Sequence, residues 1–332
     1  MKNLISQLGI GPMSSEIIEA VFRCSQQELK PLMLIASKNQ IDWDRGYVNT
    51  WNTEEYMVYI RQLREKYPQA KVYICRDHCG PGFKNNDLAD VYQTIDSDIT
   101  NGFDLIHVDF CHWPGNHSQI LVESKKAIEY IHKKNSEMMI EIGTDENTGQ
   151  LSKDISDIEA DMDFFSQFKN IVFFVCQTGS LIKEINQAGS FNLDYVKQIK
   201  ALAGKYNLNI KEHNADYLDD SAIRLRRGIV DAMNIAPQYG VLQTIITLER
   251  AFVYGVDVSE WLKLVYQSGR WGKWLLNNNK DNRLLCSVIA GHYNFSTPQY
   301  DKIYRQISQH EDLREIIISS AAKNFTLYLN NL

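Results

Sequence analysis

Asp77-His78 and Glu212-His213 each place an imidazole beside a carboxylate, and each pair sits at the end of a short apolar run. Two histidines with an oxygen donor as the third ligand suit a divalent metal: zinc first, with manganese, nickel or cobalt as alternatives. Such an ion polarises a carbonyl or a hydroxyl and stabilises an enolate or alkoxide. A carboxylate beside it, Asp77 or Asp109, then moves the proton. His78 and His213 are therefore the expected ligands, with Glu141 as the third and Asp145 or Gln177 as its alternatives.

Each of these residues also has a plainer reading. A histidine after a strand is more often a structural hydrogen-bonding group. Glu141 alternatively faces a core water or pairs with Arg76, and Asp109 alternatively caps the next loop. His107 lies two residues before Asp109 and so on the same side of a strand; it is read as structural. Around the same rim, Ser37, Asn39, Gln40, Gln177 and Asp216 are the expected contacts to substrate hydroxyls.

These residues follow apolar runs at 8–10, 32–36, 72–75, 105–108, 138–142, 171–176, 208–210 and 229–235. Segments with helical spacing lie between them, at 54–65, 87–100, 118–134, 154–167, 192–205 and 219–227, and Ser14-Ser15-Glu16 opens another helix. Eight strand–helix units in this length match an α/β fold of the (β/α)8, or TIM, barrel type. Unbroken apolar runs fit strands buried on both faces. An open doubly wound sheet is second, since no Gly-rich dinucleotide turn is present. A barrel over 1–255 is expected, followed by a helical extension over 256–332 packed on it. In that extension 261–285 and 313–332 read as helical, with NNNKDN at 277–282 as a loop.

The composition limits the function classes. The chain has 332 residues, 44% hydrophobic and 23% charged, with a net charge of −6, so nucleic acid and anionic membranes are disfavoured as partners. No apolar stretch reaches the roughly 20 residues of a membrane span. The six cysteines are scattered, and the first ten residues turn polar too early for a signal peptide. Reduced thiols in a cytoplasm are the expectation.

Five segments together resemble a known family: LMLIASKNQIDWDRGY, RDHCGP, GFDLIHVD, EIGTDE and EHNADY. They are similar, in the same order and near the same spacing, to the accessory-subunit (GatZ/KbaZ) family of class II tagatose-bisphosphate aldolases, over roughly residues 5–300. The resemblance implies a TIM barrel with Asp77 beside a metal-binding His78, a late-strand ligand at His213 and polar roles for Glu141 and Asp109. It implies a ketose phosphate cleaved or epimerised at C4 by retro-aldol chemistry, or a non-catalytic subunit that stabilises a separate aldolase. A plain sugar-binding barrel ranks third, and self-association follows by analogy. Three departures stand out: Gln177 where the catalytic aldolases have a histidine, Ile35 where a Glu is usual, and no Gly-rich phosphate loops. Phosphate binding would then fall to Lys38, Arg45, Lys84 or Arg224.

Overall fold

Alternation along each strand sets the architecture. In the computed structural model, which describes residues 4–145, 148–151, 153–276 and 279–332, eight parallel strands close into a barrel. They are β1 (Leu8–Ile10), β2 (Leu32–Ser37), β3 (Val72–Cys79), β4 (Leu105–Asp109), β5 (Met139–Gly143), β6 (Ile171–Val175), β9 (Asn209–Glu212) and β10 (Ala232–Ile235). The order around the barrel follows the chain, and β10 closes on β1. A small antiparallel hairpin, β7 (Ile182–Lys183) and β8 (Asn186–Gln187), interrupts the connection after β6. The fold is thus the expected TIM barrel.

Around it run α1 (Ser15–Glu28), α2 (Thr53–Lys66), α3 (Leu88–Asn101), α4 (His117–Lys134), α5 (Ile155–Ser166), α6 (Leu193–Lys205), α7 (Asp220–Arg226) and α8 (Pro237–Tyr254). Polar caps start them: Ser14 Oγ accepts from Ile17 N, and Asn52 with Glu55 forms a full capping box on α2. Outward strand residues such as Leu34, Ile74, Ile106, Ile140 and Ile210 share one core with the helices. Inward residues Met33, Ile35, Cys75, Leu105, Phe173 and Ala232 fill the lower barrel, with Tyr73 and Met139 against them.

Two charged side chains face outward and are buried there. Arg76 makes a bidentate pair with Asp98 of α3 at 2.6 and 2.7 Å and donates to the Ala36 and Ile41 carbonyls. Glu212 accepts from Arg226 of α7 at 2.6 and 3.0 Å. Arg76 therefore lies on the opposite face of its strand from Glu141 and is not that residue's partner.

Strand β3 runs to Cys79, past the expected end at 75, because its last turn is irregular. Its register against β4 shifts between Arg76 and Cys79, and His78 has a left-handed φ of 50°. Strand β10 begins at Ala232, later than expected, because the Ile229 and Val230 N–H groups still close the end of α7 on the Arg226 carbonyl.

The chain continues into α9 (Ser259–Gln267), α10 (Arg283–Ala290), α11 (Pro298–Ile307) and α12 (Leu313–Asn331), the last lying along α1. The helical reading of 261–285 fails in its middle: Gly269, at φ 66°, stops α9, and a 3-10 turn at Gly272–Trp274 follows. Asn277 and Asn278 of the expected loop, Glu146 of the EIGTDE segment and Met1-Lys2 of the N-terminal reading lie outside the described residues. The segment after α9 reaches over the C-terminal end of the barrel. Glu184 N, in the β7–β8 turn, donates to the Trp274 carbonyl at 2.7 Å, and Ser296 Oγ to the Tyr47 carbonyl at 3.2 Å.

Candidate metal centre at the C-terminal rim

Two residues above the apolar interior, the same strands turn polar. Asp77, His78, His107 and His213 each offer a ligand atom, all within 4.8 Å of one another. The three imidazole rings stand 5.0 to 5.2 Å apart. His78 Nδ1 lies 2.7 Å from Asp109 Oδ2, and His107 Nδ1 lies 3.3 Å from Asp77 Oδ1. In a regular strand Asp77 and His78 would point to opposite faces. The left-handed backbone at His78 brings both to one site.

The electrostatics keep the carboxylates ionised. Burial is the largest influence on Asp77 and works to raise its pKa, yet His78, His213 and His107 outweigh it and hold the carboxyl well below its usual range. Asp109 is opposed by burial in the same way and is held at about 2 by its bond from His78 and by His107. Burial works against protonation of His78, but Asp77 and Asp109 push it up to about 9. His213, by contrast, is shifted down, by burial first of all, against the pull of Asp77 and Glu141.

His107 Nε2 is buried and has no hydrogen-bond partner among the described residues. It points at Gly143, where a Cβ would come within 2.6 Å of it. His107 Nδ1 accepts from His78 N at 3.2 Å, and three imidazoles with a carboxylate, their ligand atoms within 4.8 Å of one another, are a donor set that fits a divalent metal.

Glu141 stands one layer below. Its Oε2 is 2.6 Å from Lys211 Nζ and its Oε1 is 2.9 Å from His213 Nε2. Lys211 is fully buried, 4.9 Å from the Phe173 ring centroid. Burial, which would raise the Glu141 pKa, is outweighed by Lys211 and His107, and the carboxyl is held at about 2. Glu141, expected as a ligand, is thereby engaged as the partner of His213 and lies outside the group of four.

The remaining expected residues divide. Gln177 lines the cavity above the histidines; its Nε2 donates to the Asp145 carbonyl and its Oε1 is buried without a partner among the described residues. Ser37 neighbours Asp77 in the sheet register. Gln40 is taken up inside its own loop, accepting from Ser37 N and donating to Met13 Sδ, and Asn39 donates to the Phe83 carbonyl. Asp216 accepts from Ala236 N and Gln238 N at the start of α8 and so serves that helix; burial raises its pKa to about 7. The four expected phosphate cations are all paired: Lys38 with Asp90, Arg45 with Glu55, Lys84 with Asp42 and Asp44, and Arg224 with Asp220.

Sequence reasoning missed His107 as a member, though its spacing from Asp109 already pointed inward. It also missed Phe83, which stacks on His78 at 4.6 Å with His112 beside it at 4.8 Å. Both rings line the cavity, which is about 40 Å³.

No protein-family model matches the chain. Solved structures do. A probable tagatose 6-phosphate kinase from Sinorhizobium meliloti 1021 superposes with a TM-score of 0.81 at 15% identity, covering 98% of this chain and 100% of that one. The YdjI aldolase from Escherichia coli K12 gives 0.59 at 12% identity, covering 98% and 91%. A fructose-bisphosphate aldolase from Campylobacter jejuni gives 0.58 at 14% identity, covering 93% and 90%. Likeness at this identity establishes a fold in common with these proteins.

Proposed function

We propose that this chain is a metal-dependent enzyme acting on a ketose phosphate by retro-aldol and aldol chemistry, giving C4 epimerisation or aldol cleavage. The observation that carries the reading is the group of three imidazoles and Asp77 at the C-terminal rim, where barrel enzymes keep their chemistry. The aldolases and the probable tagatose 6-phosphate kinase among its structural neighbours supply the substrate class. A divalent ion held by His78, His107 and His213 supplies Lewis-acid polarisation of the substrate carbonyl.

The chain's own residues do the rest. Asp109 accepts from His78 Nδ1 and leaves Nε2 of that ring as the donor atom. Asp77, kept ionised by its neighbours, takes the proton from the C4 hydroxyl. The C3–C4 bond then breaks, its electron pair passes to an enolate, and C4 becomes an aldehyde carbon. Rotation of that aldehyde and re-addition gives the epimer; release gives cleavage. His107 supplies the third imidazole that the sixth strand, with Gln177, does not. A small-molecule site commonly has about 300 Å³ or more, so Phe83 must swing off His78 to admit a sugar.

A second reading, a non-catalytic subunit supporting a separate aldolase, is favoured by the small volume of that cavity. Metal content and turnover separate the two. The purified chain is expected to hold about one transition metal, lost in His78→Ala/His213→Ala, and to turn over ketose phosphates, with Asp77→Asn reducing kcat about 10²- to 10⁴-fold. Turnover that survives in Asp77→Asn and in His78→Ala overturns the mechanism. Failure to bind zinc, manganese, nickel or cobalt, with no turnover, hands the assignment to the subunit reading.

A further inference from the structure

Lys38, Arg45, Lys84 and Arg224, the cations expected to take a phosphate, are each tied to a carboxylate, and the N-terminus of α8 is already occupied. Barrel enzymes often bind phosphate at a helix start near the last strands. Here the Asp216 carboxylate accepts from Ala236 N and Gln238 N at that place. Phosphate recognition, if it resides on this face, must come from another element.

The extension provides one. Arg270 and Lys273 are exposed, and neither has a carboxylate partner among the described residues. Arg270 lies 5.0 Å from the Tyr293 ring centroid and Lys273 4.5 Å from that of Trp274. Trp274 Nε1 donates to Tyr293 Oη at 3.2 Å, so the two aromatic supports are joined. Lys183, from the β7–β8 hairpin, donates to the Lys273 carbonyl at 2.8 Å and brings a third cation to the group. The adjoining carboxylate, Glu184, accepts from Leu276 N.

This group stands on the C-terminal face of the barrel. Tyr293 packs edge-on against Tyr47 of the β2–α2 connection at 4.8 Å. His292 is buried against Gly240 in the first turn of α8, leaving no room there for a Cβ. Burial first, and then the charges of Lys273 and Arg270, hold His292 down at about 3. From Tyr47 the contacts run through Met13 and Gln40 to Ser37, which neighbours Asp77 in the sheet.

The geometry points to Arg270 and Lys273, with Lys183 beside them, as the site that takes the phosphate group of the sugar phosphate. Its substrate identity rests on the proposed function; the phosphate binding does not. A guanidinium and an ammonium held on aromatic faces, with no carboxylate partner among the described residues, suit a phosphate monoester.

The test is a titration of the whole chain with inorganic phosphate and with glycerol 3-phosphate, followed by tryptophan fluorescence, since Trp271 and Trp274 flank the site. Glycerol is the neutral control. Saturable binding of both phosphates is expected, weakened at least about tenfold in Arg270→Gln/Lys273→Gln and unchanged in Lys263→Gln on α9. In turnover, the double variant is expected to raise KM for the ketose phosphate with kcat within about twofold. Circular dichroism and melting temperature check that the variants fold. No phosphate binding by the wild type, or equal binding by a folded double variant, overturns the proposal. Phosphate binding lost in the double variant without any turnover upholds this site while removing the enzymatic reading.

Discussion

The two halves of the barrel interior are built from the same strands, yet they differ in kind. Below lie Met33, Ile35, Cys75, Leu105 and Phe173, an apolar plug. Two residues further along come His107 and Glu141, then Asp77, Asp109 and His213, with Lys211 among them. The lower half gains from burial roughly 25 cal/mol per Å² of apolar surface. The upper half buries charge, which costs stability unless every charge is paired. One half holds the barrel closed, and the other is held by it.

That contrast can be tested at Lys211. Lys211→Met leaves Glu141 buried without its cation, and a loss of about 3–5 kcal/mol is expected in denaturant unfolding. The double variant Lys211→Met/Glu141→Gln should recover much of it. A folded, undiminished single variant would show that the pair is dispensable. Leu105→Ala, in the lower half, is expected to cost about 2–5 kcal/mol through the cavity it leaves. Metal bound per folded chain should be unchanged, and a parallel loss of metal would erase the division between the halves.

Asp216 offers the finest distinction, because it shares the polar end but serves α8. At pH 5, Asp216→Ala is expected to cost about 1 kcal/mol, as for a lost helix cap. Its folded pKa, about 7, lies above the unfolded value of about 3.9. The folded state therefore holds the extra proton, and this group's contribution to stability declines as pH rises from about 4 through 7. Asp216→Asn keeps the acceptor and should flatten that part of the stability–pH curve. An unchanged slope would place the titration elsewhere.

The sequence was most legible where one physical signal acted alone. Strands such as Leu105–Asp109 and Met139–Gly143 are buried on both faces and bounded by helices, so their existence and order could be read directly. Asp77, His78, Asp109 and His213 could be placed at one rim for the same reason. His107 obeyed the same alternation, but a histidine inside a strand reads equally well as core. The left-handed turn at His78 left no trace, since no glycine marks it. Glu141's engagement depends on Lys211, a residue 70 positions away whose pairing only the closed barrel creates. In the extension, Gly269 carried a stop signal that the apolar pattern on either side concealed.

The outward ion pairs of β3 and β9 also bear on how the barrel reaches its alignment. Arg76 lies two residues before His78, and Glu212 immediately precedes His213. Sliding either strand by one residue would exchange its faces. In such a slipped barrel Arg76 or Glu212 would enter the apolar interior without its partner, at a cost of several kcal/mol. The pairs to Asp98 and Arg226 thus act as keys during assembly, admitting only the alignment that delivers both imidazoles to the rim.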